Sequence, residues 1–301
     1  MYTRMLIPLD GSKVAEQVLP YARFLAKTLV VPVEFLEVVD PESHTLLANP
    51  AQGRYVDTIL AERIESSKNY LEAIARSFQG SHVNCLVEKG KAEEVVIEKA
   101  AIDKNTLIVM ATHGRSGIQR WLLGSVADNI LHGAANHVLL VRAIDQGKTD
   151  GEAVLKTVVV PLDGSPLAER VLPDVAELAR KMKLAVVLMR AYALPSSVSG
   201  DDFGLYSADL LDQLESEARD YLAGKVNDLK DKALEQVSSV VQIGYGAEEI
   251  ITLARNTPDN FVAMCTHGRT GVKRWVFGSV TERVVRHSGD PVLIVPAASG
   301  A

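Results

Sequence analysis

The chain is short of cysteine: only Cys85 and Cys265 occur among 301 residues, far apart and each in an apolar run. That gives neither a disulfide framework nor a zinc-ligand spacing, so both thiols are expected to serve as small buried hydrophobes. No charged-then-apolar leader follows Met1, and no apolar stretch reaches about 18 residues. Secretion and membrane insertion are therefore not expected, and the location reads as cytoplasmic. Nor is there an excess of basic charge. A net charge of -6 and a pI near 5.7 exclude a general nucleic-acid binder, which needs a basic face, while local basic sites stay open. The histidines form no metal set: His113 and His267 stand far apart, and His132 and His137 fit no ligand-bearing helix pattern.

What is present is an ordinary globular composition, 47% hydrophobic and 23% charged, and a long repeat. Thr112 to Val126, THGRSGIQRWLLGSV, returns 154 residues later at Thr266 to Val280 as THGRTGVKRWVFGSV, with 10 of 15 positions identical. That separation is about half the chain and a usual domain size, so two domains of one kind are expected. Their bounds read as 1–144 and 154–301, with the polar run 145–153 as a linker.

Each half reads as five strands alternating with four helices. The first strands are Arg4 to Leu9 and Thr157 to Leu162, and the second run from about Val30 to Val39 and from Ala185 to Ala191. Third strands follow at Val83 to Glu88 and Val237 to Ile243, fourth at Thr106 to Ala111 and Phe261 to Cys265, fifth at His137 to Val141 and Pro291 to Val295. Continuous apolar runs bounded by turn residues suit strands buried on both faces. The first helices take Ser12 and Ser165 as N-caps and are expected to kink at Pro20 and Pro173. Long helices follow at Arg54 to Phe78 and Ser207 to Leu234, and short ones begin near Glu93 and Glu248. Asp40 to Gly53 and Tyr192 to Gly204 read as long loops, either lids or variable surface. The expected fold is α/β: two similar domains, each a doubly wound five-stranded parallel sheet of order 3-2-1-4-5 with helices on both faces.

That order makes strands one and four neighbours at the point where the chain reverses across the sheet, and ligands bind beyond the carboxyl ends of strands there. The aspartate ending strand one then faces the repeated loop leaving strand four. In that loop glycines permit close backbone approach, and a helix start at Ser125 or Ser279, with Asp128 or Glu282 three residues on, reads as a capping box. Its exposed N–H groups favour a phosphate. His113, Arg115 and Arg120, with His267, Arg269, Lys273 and Arg274, make each loop a local positive cluster without an acidic residue. Asp10 and Asp163 either accept hydrogen bonds from a ribose or base, or cap the following turn. Trp121 and Trp275 read as apolar anchors of the loops rather than stacking platforms. Two other motifs fail. Gly147-Lys148-Thr149 imitates the end of a phosphate-binding P-loop, but Arg142 stands where its first glycine belongs. A phosphoacceptor receiver would cluster acids at the sheet end, whereas Asp10 follows Leu9 alone.

These residues resemble the universal stress protein family in its tandem two-domain form, over essentially the whole chain. The family's signature is glycine, two residues, glycine, nine residues, then glycine and serine or threonine. Here it reads Ala111-Thr112-His113-Gly114 to Gly124-Ser125, and Cys265-Thr266-His267-Gly268 to Gly278-Ser279. Alanine adds only a methyl group at the first glycine position. Cysteine is larger, so the second site is expected to be the less accommodating. The resemblance implies ATP binding, with Mg, linked to stress adaptation. Pro8, Leu9, Asp10 and Val38, matched by Pro161, Leu162, Asp163 and Ala191, would hold the adenosine part. Met110, Ala111, His113, Gly114, Arg115, Gly124, Ser125 and Val126 would hold ribose and phosphates. Their second-half counterparts are Met264, Cys265, His267, Gly268, Arg269, Gly278, Ser279 and Val280. The resemblance also implies docking of the two domains on one another, and it leaves room for a homodimer and a protein partner.

No general base is evident beyond the aspartate already assigned to the nucleoside, so hydrolysis, if any, is expected to be slow. The other reading is an interaction module in which the loops are structural remnants. An adenylate-forming enzyme would need a motif such as SGGxDS after strand one, which Leu9-Asp10-Gly11-Ser12 does not supply.

Overall fold

A computed structural model describes residues 1–41, 53–112, 123–144, 147–193, 203–266 and 278–296. The chain divides into two compact units with the boundary between Val154 and Leu155. In the first, β1 (Arg4–Pro8) leads through a 3-10 helix (Ala15–Val18) into α1 (Leu19–Leu29), then β2 (Val33–Val39), α2 (Gly53–Ala75), β3 (Val83–Lys89), α3 (Ala92–Ala101), β4 (Thr106–Thr112), α4 (Ser125–Gly133) and β5 (Val138–Arg142). The second repeats the series: β6 (Thr157–Pro161), a 3-10 helix (Ala168–Val171), α5 (Leu172–Met182), β7 (Ala185–Tyr192), α6 (Phe203–Lys230), β8 (Val237–Ile243), α7 (Gly246–Asn256), β9 (Asn260–Thr266), α8 (Ser279–His287) and β10 (Val292–Pro296).

The strand orders are β3-β2-β1-β4-β5 and β8-β7-β6-β9-β10, with the strands parallel. Both are the expected 3-2-1-4-5. Parallel strands need crossovers, and right-handed crossovers put helices on both faces once the chain reverses direction across the sheet. Helix α2 packs on β2 and β3, while α3 and α4 pack on one another and on β4. The central strands are therefore apolar on both faces: Met5, Leu6 and Ile7 of β1, and Val158, Val159 and Val160 of β6, are fully buried. Each such side chain contributes roughly 2 kcal/mol relative to exposure.

Three details differ from expectation. Pro20 and Pro173 do not kink a helix interior; each lies in the first turn of α1 or α5, just after the 3-10 helix. An N–H there has no intrahelical acceptor, so proline costs no bond. Val30 does not begin β2. It ends α1 in the left-handed conformation (φ 53°), its N–H bonded to Ala26 O at 3.0 Å, and Lys183 (φ 55°) does the same for α5. The offset between the halves, 153 residues at Asp10 and Asp163 and 154 at the repeated loops, does not change in the turn before α3 and α7, where the sequence suggests an extra residue: the registers match Val33 with Val186 and already Val83 with Val237, so the change lies between the second and third strands.

Residues 147–153 lie along α1 of the first unit. The Arg23 guanidinium donates to Thr149 O at 3.0 Å and Gly151 O at 2.8 Å, Ala153 N–H donates to Pro20 O at 3.0 Å, and Lys27 pairs with Glu152. Among the described residues no helix is long and apolar enough to cross a membrane.

The polar seam between the fourth and fifth strands differs between the halves. In the first, buried Asn136 donates to Asp103 O at 3.0 Å and Thr106 O at 3.3 Å. In the second the asparagine has moved to Asn260, which donates to Ala254 O at 2.8 Å and Thr257 O at 2.6 Å, and Asp290 stands at the counterpart of Asn136. Burial raises the Asp290 carboxyl above its ordinary value, opposed by a hydrogen bond from Asn260 and the charge of Arg255. The native state then holds this proton more readily than the unfolded chain. Stability accordingly falls as pH rises from the unfolded value through the native one, and the ionised group costs stability at neutral pH. The buried Asn260 Oδ1 has no partner among the described residues. Asp290→Asn removes the charge and supplies a donor, so it is expected to stabilise the protein by about 1 kcal/mol at pH 7. Thermal unfolding at pH 7 and at about pH 4 checks this, with the gain shrinking at the lower pH, where more of the wild-type carboxyl is protonated.

Candidate functional site

The crevice begins where two neighbouring strands part. Strands β1 and β4 pair from Arg4↔Thr106 to Leu6↔Ile108, yet β1 continues to Pro8 and β4 to Thr112. Strands β6 and β9 repeat this, pairing from Thr157↔Asn260 to Val159↔Val262 and then running on unpaired with one another. On its other side β1 keeps its register to Pro8↔Leu36, and Leu9 N–H still donates to Leu36 O at 2.9 Å. The carboxyl ends of the first and fourth strands thus splay apart at the reversal of the sheet, which is where such sheets bind ligands.

In the second unit this opening is a solvent-facing cavity of about 200 Å³. The candidates Pro161, Leu162, Asp163, Ala191, Met264, Cys265, Gly278, Ser279 and Val280 all line it. They come from the ends of β6, β7 and β9 and the start of α8, segments distant in sequence. Its lining combines polar and apolar groups. The exposed Asp163 carboxylate accepts Ser165 N–H at 2.8 Å and the Ser165 hydroxyl accepts Ala168 N–H at 3.1 Å, so the aspartate turn caps the 3-10 helix. The first residues of α8 and the apolar Leu162, Met189, Ile250 and Met264 complete the wall.

The capping-box expectation is corrected here. The N-caps are Gly124 and Gly278, in extended conformation, and Ser125 and Ser279 are already the first helical residues. Asp128 and Glu282 are therefore one position too far along to close the box; their backbone N–H groups bond Gly124 O and Gly278 O at 2.9 Å instead. A glycine cap offers no side-chain acceptor, so the first-turn N–H groups stay directed at the crevice, where an anion suits them.

The first unit places its candidates on the same elements. Pro8 ends β1, Leu9 is buried behind it, and Asp10 is exposed and accepts Ser12 N–H at 2.9 Å. Val38 lies on β2 opposite Glu88, Met110 and Ala111 on β4, and Gly124, Ser125 and Val126 at the start of α4. His113, Gly114, Arg115, Arg120 and Trp121 lie outside the described residues, as do His267, Gly268, Arg269, Lys273, Arg274 and Trp275 and most of both long loops.

Lining residues that sequence reasoning did not single out are Ser165, Leu167, Ala168, Met189, Gly246, Ile250 and Thr281. Ser165 had a signal, its place beside Asp163, but was read only as a cap. Gly246 and Ile250 carried none, because they reach the crevice through the packing of α7. Among the described residues no group of acids, histidines and cysteines is arranged to hold a metal. The cysteines are half-buried rather than buried, and both are free. Cys265 does not close the second site: it forms part of the cavity wall. Burial pushes its thiol up to about 11 from 9.0, with Asp174 adding to the rise and Arg170 and the Thr266 backbone opposing it. A rise of about two units means roughly a hundredfold less thiolate at pH 8 than an ordinary thiol. Iodoacetamide labelling of the native protein, followed site by site by mass spectrometry, should show correspondingly slow modification of Cys265 and ordinary reactivity after denaturation.

The profile of the universal stress protein family matches residues 1–142 and again 155–296. A universal stress protein of Methanocaldococcus jannaschii is 31% identical over 144 residues, covering 47% of this chain and 83% of that protein. One of Mycolicibacterium smegmatis is 22% identical over 301 residues, covering 97% of this chain and 96% of that protein. Among solved structures, a universal stress protein of Archaeoglobus fulgidus superposes with a TM-score of 0.71 at 20% identity, covering 99% of this chain and all of that one. With both halves matched by the profile and the parallel 3-2-1-4-5 sheet formed twice, this chain belongs to the universal stress protein family.

Proposed function

We propose that this chain is a cytoplasmic nucleotide-binding regulatory protein whose ligand is ATP, with a site at the split end of each sheet. The observation that carries the reading is the convergence, in the second unit, of the aspartate turn after β6, the backbone end of β7 and the glycine-capped start of α8 on one cavity. The donors suit the parts of the ligand. A carboxylate matches ribose hydroxyls or a base amino group, the apolar lining residues match the base, and a helix N-terminus matches phosphate. Mg would accompany the phosphates and neutralise their charge. Asp163 and Asp10 are engaged in their own turns, which fits binding better than proton abstraction, so turnover is expected to be slow.

A second reading, an interaction module, draws on apolar surface beside the cavity: Ile243 is 56% and Tyr245 71% exposed, next to the lining residue Gly246. It requires partner binding to be independent of the crevice. Protein purified without added nucleotide and then denatured is expected to release ATP or ADP, seen by chromatography. Emptied protein should bind Mg-ATP by calorimetry, and the double variant Gly124→Val, Gly278→Val, which puts side chains at both glycine caps, should lower affinity at least about tenfold (about 1.4 kcal/mol). Neither release nor binding in the wild type would leave only the interaction module.

A further inference from the structure

The two crevices have similar walls but opposite charges behind the aspartate turn. One residue before the proposed nucleoside contacts Val38 and Ala191 stand Glu37 and Arg190, at matching register beyond Pro8↔Leu36 and Pro161↔Met189. Glu37 is buried at 2% exposure and turned to α2, where Arg63 donates to its Oε1 at 2.7 Å. It leaves the first turn uncovered: a Cβ built on Gly11 would meet nothing within 4 Å.

Arg190 behaves differently. Its guanidinium atoms lie 3.3 to 3.5 Å from where a Cβ on Gly164 would stand, so the group packs directly against the Asp163-Gly164-Ser165 turn. It also sits over the Tyr221 ring, 4.8 Å from the centroid. Tyr221 is anchored in turn: its hydroxyl donates to Glu169 Oε1 at 2.8 Å, and Lys225 holds the other oxygen of Glu169 at 2.8 Å. Burial and the Glu169 bond drive the Tyr221 phenol up, with the charge of Arg190 opposing the rise and that of Asp163 adding to it. Arg190 thus stands near Asp163 as a cation braced from behind, and the planar guanidinium suits such a stacked position. Asp163 and Ser165 both line the cavity. The first unit keeps the tyrosine and the acid as Tyr70 and Glu16, but there the cation beside the turn is Lys13, which pairs with Glu16 Oε2 at 2.6 Å, and no guanidinium lies within 4 Å of a Cβ built on Gly11.

We infer that Arg190 is a positioning residue that presets the Asp163 turn, making the second crevice the preorganised one of the two nucleoside sites. This rests on the nucleotide reading above, and one arm of its test does not. Preorganisation cuts the ordering cost of binding, so the loss on removing Arg190 falls on the nucleoside end. In ligand-free full-length protein, Arg190→Met is expected to speed hydrogen–deuterium exchange of the peptide 162–166, leaving peptide 9–13 unchanged. In a Gly124→Val background that reports the second crevice, Arg190→Met should weaken adenosine and ATP alike, by about fivefold, equivalent to about 1 kcal/mol. Arg190→Lys, which keeps the charge, should recover part of both effects. Unchanged exchange in 162–166 overturns the inference, as does a loss confined to ATP, which would make Arg190 a phosphate ligand. Faster exchange in a parent that binds neither adenosine nor ATP sustains the positioning role and sinks the nucleotide reading instead.

Discussion

Each half of this protein depends on a short strand pairing that stops early. Three residue pairs join β1 to β4, and three join β6 to β9, before the strands separate toward their carboxyl ends. At this one place in each sheet the chain leaves in opposite directions on the two sides, so helices depart to opposite faces and no element fills the gap. The aspartate turn, the glycine-capped helix and the apolar floor all follow from that separation. The core holds it open: Leu6, Ile7, Ile108 and Val109, and their counterparts Val159, Val160, Val262 and Ala263, are buried in strands that cannot bend to close the gap without exposing them.

Around this shared frame the halves have diverged in polarity rather than in backbone. The first sets Glu16, Glu37 and Tyr70 behind its turn; the second sets Glu169, Arg190, Tyr221 and Lys225 there. Ser67, fully buried in α2 near Tyr70, is replaced by the fully buried Ala218 near Tyr221. At the helix start after the third strand, Lys91 is replaced by the exposed Tyr245. These changes lie beside the crevice rather than in the signature itself. Duplication kept the loop signature and altered its surroundings.

Much of the fold was legible because its signals are local. Runs such as RMLIPL and TVVVPL are too uniformly apolar for a half-exposed strand, and their repetition at constant spacing fixed both the element order and its doubling. The misreadings share one cause. Val30 is β-branched and follows a helical pattern, so propensity assigned it to a strand, whereas the αL turn closing α1 was set by the path to β2. Pro20 looked like a helix breaker until the preceding turn proved to be 3-10, and Ser125 looked like a cap because nothing local says that Gly124 takes the extended conformation one residue earlier. Cys265 looked obstructive by volume alone, but a cavity depends on which way its walls lean.

By itself, then, the amino-acid sequence determined the two-domain α/β architecture, the strand order and the positions of the aspartate and glycine signatures, since periodicity, turn residues and handedness are properties of short segments and their succession. Only the tertiary structure decided that Gly246, Ile250 and Thr281 join those signatures in one wall, that Cys265 lines the cavity instead of filling it, and that Arg190 rather than Glu37 stands against an aspartate turn. Those outcomes depend on distances between side chains far apart along the chain, and such distances exist only once the core has packed.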